Sequence, residues 1–121
     1  MRFLIVEDDP DGAAVIEMIL ISAGFEALIA PTAEKAMDIL KKEPSGFNGA
    51  VVDLGLPGMD GFEFLEAVRE IESLASLPLV AATAFHTPEL KDRAIKRGFD
   101  SYFAKPFDPV GLVEALKSLA V

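Results

Sequence analysis

The sequence predicts an α/β fold, a doubly wound (βα)5 sandwich, and two observations carry the prediction. Short apolar runs alternate five times with amphipathic stretches along the 121 residues, the pattern of a parallel sheet covered by helices on both faces. The apolar runs are continuous rather than alternating, as in strands buried on both sides. A chain of this length suits one domain, spanning residues 1–121 with no output domain.

Each element has its own signal. Phe3-Leu4-Ile5-Val6 reads as the first strand. A helix follows from about Pro10 to Ala23, with Val15, Ile16, Ile19 and Leu20 on one face, Asp9 as its cap and Gly24 as its stop. Ala27-Leu28-Ile29 is a weaker strand. The second helix starts at the cap Thr32, turns Ala36, Met37 and Leu40 inward, and is broken by Pro44, Ser45 and Gly46. Ala50-Val51-Val52 is the third strand, and the third helix runs from about Gly61 to Ser73 with Phe64, Leu65, Val68 and Ile71 apolar. Leu79-Val80-Ala81-Ala82 follows as a strand. Thr87-Pro88 then supplies a cap and a first helical residue, and that helix ends at Gly98. Tyr102-Phe103-Ala104 is the last strand, and Asp108-Pro109 repeats the cap signal before Leu112, Val113, Leu116 and Leu119. Right-handed crossovers leave few topologies, of which the flavodoxin-like strand order 2-1-3-4-5 suits this length. That order puts a ligand site at the carboxyl ends of the strands, between the first and the third.

Composition narrows the function. Half of the residues are apolar (51%) and 26% are charged, with no apolar run long enough to span a bilayer and no signal-peptide pattern, so a cytoplasmic chain is expected. The absence of cysteine excludes disulfides, thiolate metal sites and thiol nucleophiles. A net charge of -9 disfavours direct binding to nucleic acid or an anionic membrane, and favours a divalent cation or a basic partner.

The residues at the predicted binding edge supply the chemistry. The first strand ends in Glu7-Asp8-Asp9, the third in Asp53, the fourth in Thr83 and the fifth in Lys105-Pro106. Crowded carboxylates repel one another and raise one another's pKa, so a hard cation, Mg²⁺ or Mn²⁺, is expected to offset them. Asp53 is a candidate nucleophile able to form an acyl phosphate, with Lys105 and Thr83 as charge and hydroxyl partners for the phosphoryl oxygens. Gly55, Gly58 and Gly61 lack the spacing of a dinucleotide-binding loop and read as turn residues. His86, the only histidine, reads as a solvated loop residue.

At these positions the chain resembles the response-regulator receiver domains of two-component signalling, of the chemotaxis-regulator (CheY-like) type. Ile5-Val6-Glu7-Asp8-Asp9, the string from Val51 to Gly61 around Asp53-Leu54-Gly55-Leu56-Pro57-Gly58-Met59-Asp60-Gly61, Ala82-Thr83-Ala84 and Lys105-Pro106-Phe107 come in the family's order and intervals across the whole chain. The resemblance implies that Asp53 is the phosphoacceptor. It implies that Asp8 holds Mg²⁺ directly, Glu7 through water, and Gly55 through its backbone carbonyl. Thr83, the amide of Ala84 and Lys105 would bind the phosphoryl oxygens, Pro106 would follow a cis bond, and Tyr102 would turn inward as Thr83 moves. It also implies a histidine kinase or histidine phosphotransfer protein as donor, an output protein or domain reading the fourth helix, fifth strand and fifth helix, and self-catalysed dephosphorylation rather than turnover of a substrate. A monomer or a weak phosphorylation-dependent dimer is expected.

Two positions depart from the family pattern. Gly55 and Phe85 stand where receiver domains often carry polar side chains, and Phe85 is expected to hinder the attacking water and lengthen the phosphorylated lifetime. Three alternatives stay open. Met1 directly before the first strand favours a free-standing protein over a receiver cut from a hybrid kinase or transcription regulator. A phosphatase of the haloacid dehalogenase type would need a second aspartate where Gly55 stands. A pseudo-receiver would have lost a site residue, and none is lost.

Overall fold

The structure, a computed structural model, describes residues 1–120. It comprises β1 (Arg2–Val6), α1 (Pro10–Ser22), β2 (Glu26–Ala30), α2 (Ala33–Lys42), β3 (Gly49–Asp53), α3 (Gly61–Glu70), β4 (Leu79–Thr83), α4 (Pro88–Arg97), β5 (Ser101–Ala104) and α5 (Pro109–Ala120). All strands are parallel in the order β2-β1-β3-β4-β5, the flavodoxin-like order expected.

The continuous apolar runs are explained by the two faces of the sheet. Along β1, Leu4 and Val6 point into the layer beneath α2 and α3, with Met37, Leu40, Phe64, Leu65 and Val68. Phe3 and Ile5 point the other way, into the layer beneath α1 and α5, with Ile16, Leu20, Leu112 and Leu116. Each such buried side chain contributes about 1.5–3 kcal/mol, so a strand apolar on both sides holds both layers at once. The helices start where their caps predict. Asp9, Thr32 and Thr87 accept hydrogen bonds from the N–H groups of Gly12, Lys35 and Leu90.

The structure corrects three boundaries or faces. Val15 is not on the inner face of α1 but 52% exposed; Ala13, Ile16 and Leu20 form that face. The helix is apolar nearly all round, so periodicity alone does not choose its buried side. The third helix stops at Glu70 instead of Ser73, because Ile71 is extended (ψ 116°) and a single 3-10 turn at Glu72–Leu74 follows. That turn buries Leu74 beside Leu77 ahead of Pro78. The first helix ends one residue early, at Ser22, and Gly24 (φ +86°) reverses the chain into β2.

Register sets the edge that matters. Val6 pairs with Val52, Asp53 with Ala82 and Thr83 with Ala104. Glu7, Asp53, Thr83 and Lys105 therefore emerge in one row at the carboxyl ends of adjacent strands. Arg69 of α3 braces the opposite end of β4, donating to the carbonyl of Leu77 (2.7 Å) and the carboxylate of Asp100 (3.2 Å), which also accepts from Leu79 N–H (2.8 Å).

Candidate functional site

Glu7 is the most constrained of the acids, only 1% exposed at the end of β1. Its Oε1 accepts a hydrogen bond from the Lys105 ammonium, while Oε2 is buried with no partner among the described residues. Asp53 lies on the other side of the same lysine, its Oδ2 3.7 Å from Lys105 Nζ, and its Oδ1 accepts from Gly55 N–H at 3.1 Å. Asp8 is exposed, yet one carboxylate oxygen from each of Glu7, Asp8 and Asp53 lies within 4.8 Å of the others. The expected convergence of Glu7, Asp8, Asp53 and Lys105 is thus present in the fold.

Burial and the neighbouring Asp53 both act on Glu7. Its pKa is raised from 4.5 to about 7, first by burial and then by the nearness and negative charge of Asp53, with Lys105 pulling the other way. An unpartnered buried carboxylate oxygen facing two further carboxylates fits a hard, oxygen-seeking cation that keeps some of its own waters.

Two glycines make room for this arrangement. A Cβ on Gly12, in the first turn of α1, would stand 2.7 Å from Glu7 Oε1. A Cβ on Gly61 would stand 2.8 Å from the Asp53 carbonyl and from Leu54 Cα, so the start of α3 presses directly on the end of β3. The same start is fixed by a reciprocal capping box between Asp60 and Glu63. That Asp-x-x-Glu spacing is visible in the sequence and could have been read there. The contact made by Gly12 has no local signal.

On the other side of the row, Thr83 is 3% exposed and its Oγ accepts from Phe85 N–H at 3.0 Å. Its hydroxyl hydrogen remains available to a ligand oxygen. Ala84 follows on the exposed loop, and Lys105 precedes a cis bond to Pro106, as expected. Gly55 offers Asp53 no side chain: a Cβ there would lie 3.8 Å from Asp53 Oδ1. The Phe85 ring is 82% exposed. Tyr102 is buried, and its hydroxyl meets Nδ1 of His86 at 2.9 Å. His86 is therefore exposed, as expected, but it is not merely solvated, since its ring is engaged with the one tyrosine. The two residues are 16 positions apart, and no pattern in the sequence links them.

Comparison with known proteins agrees with this geometry. The family model for the response regulator receiver domain matches residues 3–117. The response regulator RppA of Synechocystis is 32% identical over 119 residues; the match covers 98% of this chain, which spans 50% of RppA's length. The structure of a proposed response regulator from Chloroflexus aurantiacus superposes with a TM-score of 0.91 at 32% identity, covering 98% of this chain and 96% of the other. The receiver domain of the sensor histidine kinase PA1611 from Pseudomonas aeruginosa, solved with magnesium coordinated in its active-site cleft, superposes at 0.88 with 26% identity, covering 98% and 96%. With the family model matched along nearly its whole length, this chain belongs to the response regulator receiver domains of two-component signalling.

Proposed function

We propose that Asp53 accepts a phosphoryl group from a phosphohistidine on a histidine kinase or histidine phosphotransfer protein. The observation that carries this reading is the unpartnered, buried Glu7 oxygen beside Asp8 and Asp53, with Lys105 held between Glu7 and Asp53. An Asp53 carboxylate oxygen attacks phosphorus, the P–N bond of the phosphohistidine breaks, and the imidazole leaves with the electron pair. Lys105 and the hydroxyl of Thr83 meet the charge on the phosphoryl oxygens, joined by the amide of Ala84. Asp8, Asp53 and the carbonyl of Gly55 would hold Mg²⁺ or Mn²⁺, with Glu7 acting through water; the bound cation would offset the charge of the transferring group. Water later attacks phosphorus and releases inorganic phosphate, restoring the Asp53 carboxylate. The inward pull on Thr83 biases the surface of α4, β5 and α5, which an output protein or domain reads.

This reading makes the chain a switch, not a turnover enzyme, working in the cytoplasm as a monomer or weak phosphorylation-dependent dimer. No helix among the described residues is long and apolar enough to cross a membrane. Incubation with acetyl phosphate and Mg²⁺ tests the central step. The expected product is a single acyl phosphate that maps to the Asp53 peptide. Labelling at another residue, or none, would overturn it.

The donor has a surface beside the site. Met18 and Val110 are each 68% exposed, and two apolar grooves of about 380 and 350 Å³ share Met18, Ile19 and Pro109. The second reaches Lys105, so the apolar strip along α1 runs into the phosphoacceptor site. A donor that brings its phosphohistidine to Asp53 lays a helix on this strip. Met18→Asp is expected to slow transfer from a phosphorylated histidine phosphotransfer domain about tenfold, the effect of losing one interface anchor. Labelling by acetyl phosphate should stay unchanged, and quench-flow assays with both donors check the split.

Hydrolysis of the acyl phosphate is expected to be slow. The Phe85 ring stands out in solvent, where it does not screen the site as its bulk led us to expect, and Gly55 has no side chain, so neither position offers a polar group to orient water. Phe85→Asn should speed loss of the label several-fold; an unchanged decay rate would show that this flank plays no part.

A further inference from the structure

The β4–α4 loop is fastened at two points. Near its start, the N–H of Phe85 donates to Thr83 Oγ at 3.0 Å. One residue on, Nδ1 of His86 meets the hydroxyl of Tyr102 at 2.9 Å, with the two rings tilted 54° and their centroids 5.5 Å apart. Tyr102 belongs to β5, beside Ala81 of β4, and packs into the layer that holds Phe62, Ala94 and Phe99. It is 8% exposed. A buried phenol needs a partner for its hydroxyl. Here that partner is a side chain from the loop that also leans on Thr83.

We propose that His86 is a positioning residue of the switch, a latch that holds Tyr102 in its buried orientation and transmits movement of Thr83 to it. The proposal rests on the phosphoacceptor reading above. When the Thr83 hydroxyl turns to donate to a phosphoryl oxygen, its Oγ moves, and the amide of Phe85 either follows or loses its acceptor. His86 is the next residue, so either response shifts the imidazole against the Tyr102 hydroxyl. The loop thus converts a displacement at the end of β4 into a change in the footing of a β5 side chain. His86 also lines a surface groove with Pro88, Lys91, Asp92 and Ile95 of α4, so its movement changes the face that the output partner meets.

The chain reports on this residue directly. Tyr102 is the one tyrosine and tryptophan is absent, so tyrosine fluorescence comes from Tyr102 alone. In the full chain, His86→Ala is expected to raise acrylamide quenching of that fluorescence several-fold while the cooperative thermal unfolding of the chain is retained. His86→Gln, which keeps a hydrogen-bonding side chain, should return quenching towards the wild-type value. Adding beryllofluoride with Mg²⁺ should change Tyr102 quenching in the wild type and not in His86→Ala. Equal quenching in the wild type and His86→Ala would overturn the latch, and so would an equal rise in His86→Gln. Fluorine NMR of bound beryllofluoride separates the two readings. With no bound signal, the phosphoacceptor assignment fails. With a bound signal and the same Tyr102 response in His86→Ala, only the latch fails.

Discussion

Asp53→Asn is expected to remove phosphoryl labelling altogether, a loss on the order of a thousandfold or more in rate, while the fold is retained. The amide is nearly isosteric with the carboxylate but has no charged oxygen with which to attack phosphorus. The change also reports on the neighbouring acids. Asp53 raises the Glu7 pKa through its nearness and its charge, and Lys105 sits between the two. With the Asp53 charge gone, Glu7 should titrate lower, and the protein should melt higher than the wild type when no divalent cation is added. Mass spectrometry after acetyl phosphate treatment reads the first effect and thermal melts read the second. Full labelling of Asp53→Asn would place the acceptor elsewhere, and an unchanged melting temperature would mean that the acids do not strain the fold.

The sequence shows the row of candidate site residues because a parallel strand buried on both faces is an unbroken apolar run. Where the run stops, the next polar residue stands at the sheet's edge, which is how Glu7, Asp53, Thr83 and Lys105 were legible. Strand order followed from crossover handedness and length rather than from any single residue. What escaped were contacts fixed by packing between distant segments. Nothing around Gly12 says that Glu7 presses on it, and the meeting of His86 with Tyr102 depends on β5 lying next to β4. Periodicity points to the wrong side of α1 at Val15, because a helix rich in Val, Ile, Met and Leu on nearly every side offers no contrast to read. That same excess of apolar surface forms the strip beside Lys105, so the failure of periodicity there marks an exposed apolar face rather than a core.

Mg²⁺ is expected to stabilise the protein more at about pH 8 than at about pH 6, because the cation and a proton compete for the same buried carboxylate. Glu7 titrates at about 7 in the fold, against an ordinary value of 4.5. Between those values the folded chain, free of metal, holds a proton that the unfolded chain has released. Stability therefore falls as pH rises from 4.5 towards 7, by roughly 3 kcal/mol at most, and this group adds no further change above that. A divalent cation at this cluster would bind its deprotonated form, so its affinity is expected to climb over the same interval and then level off. Melting temperatures with and without saturating Mg²⁺, taken across the interval, give the difference directly. Glu7→Gln should flatten the dependence, since an amide has no proton to lose. Lys105→Met should move its midpoint upward, because the lysine is the one group holding the Glu7 pKa down. A gain from Mg²⁺ that is the same at every pH would mean that the cation does not sit against Glu7, and the orphaned oxygen at the end of β1 would then need another explanation.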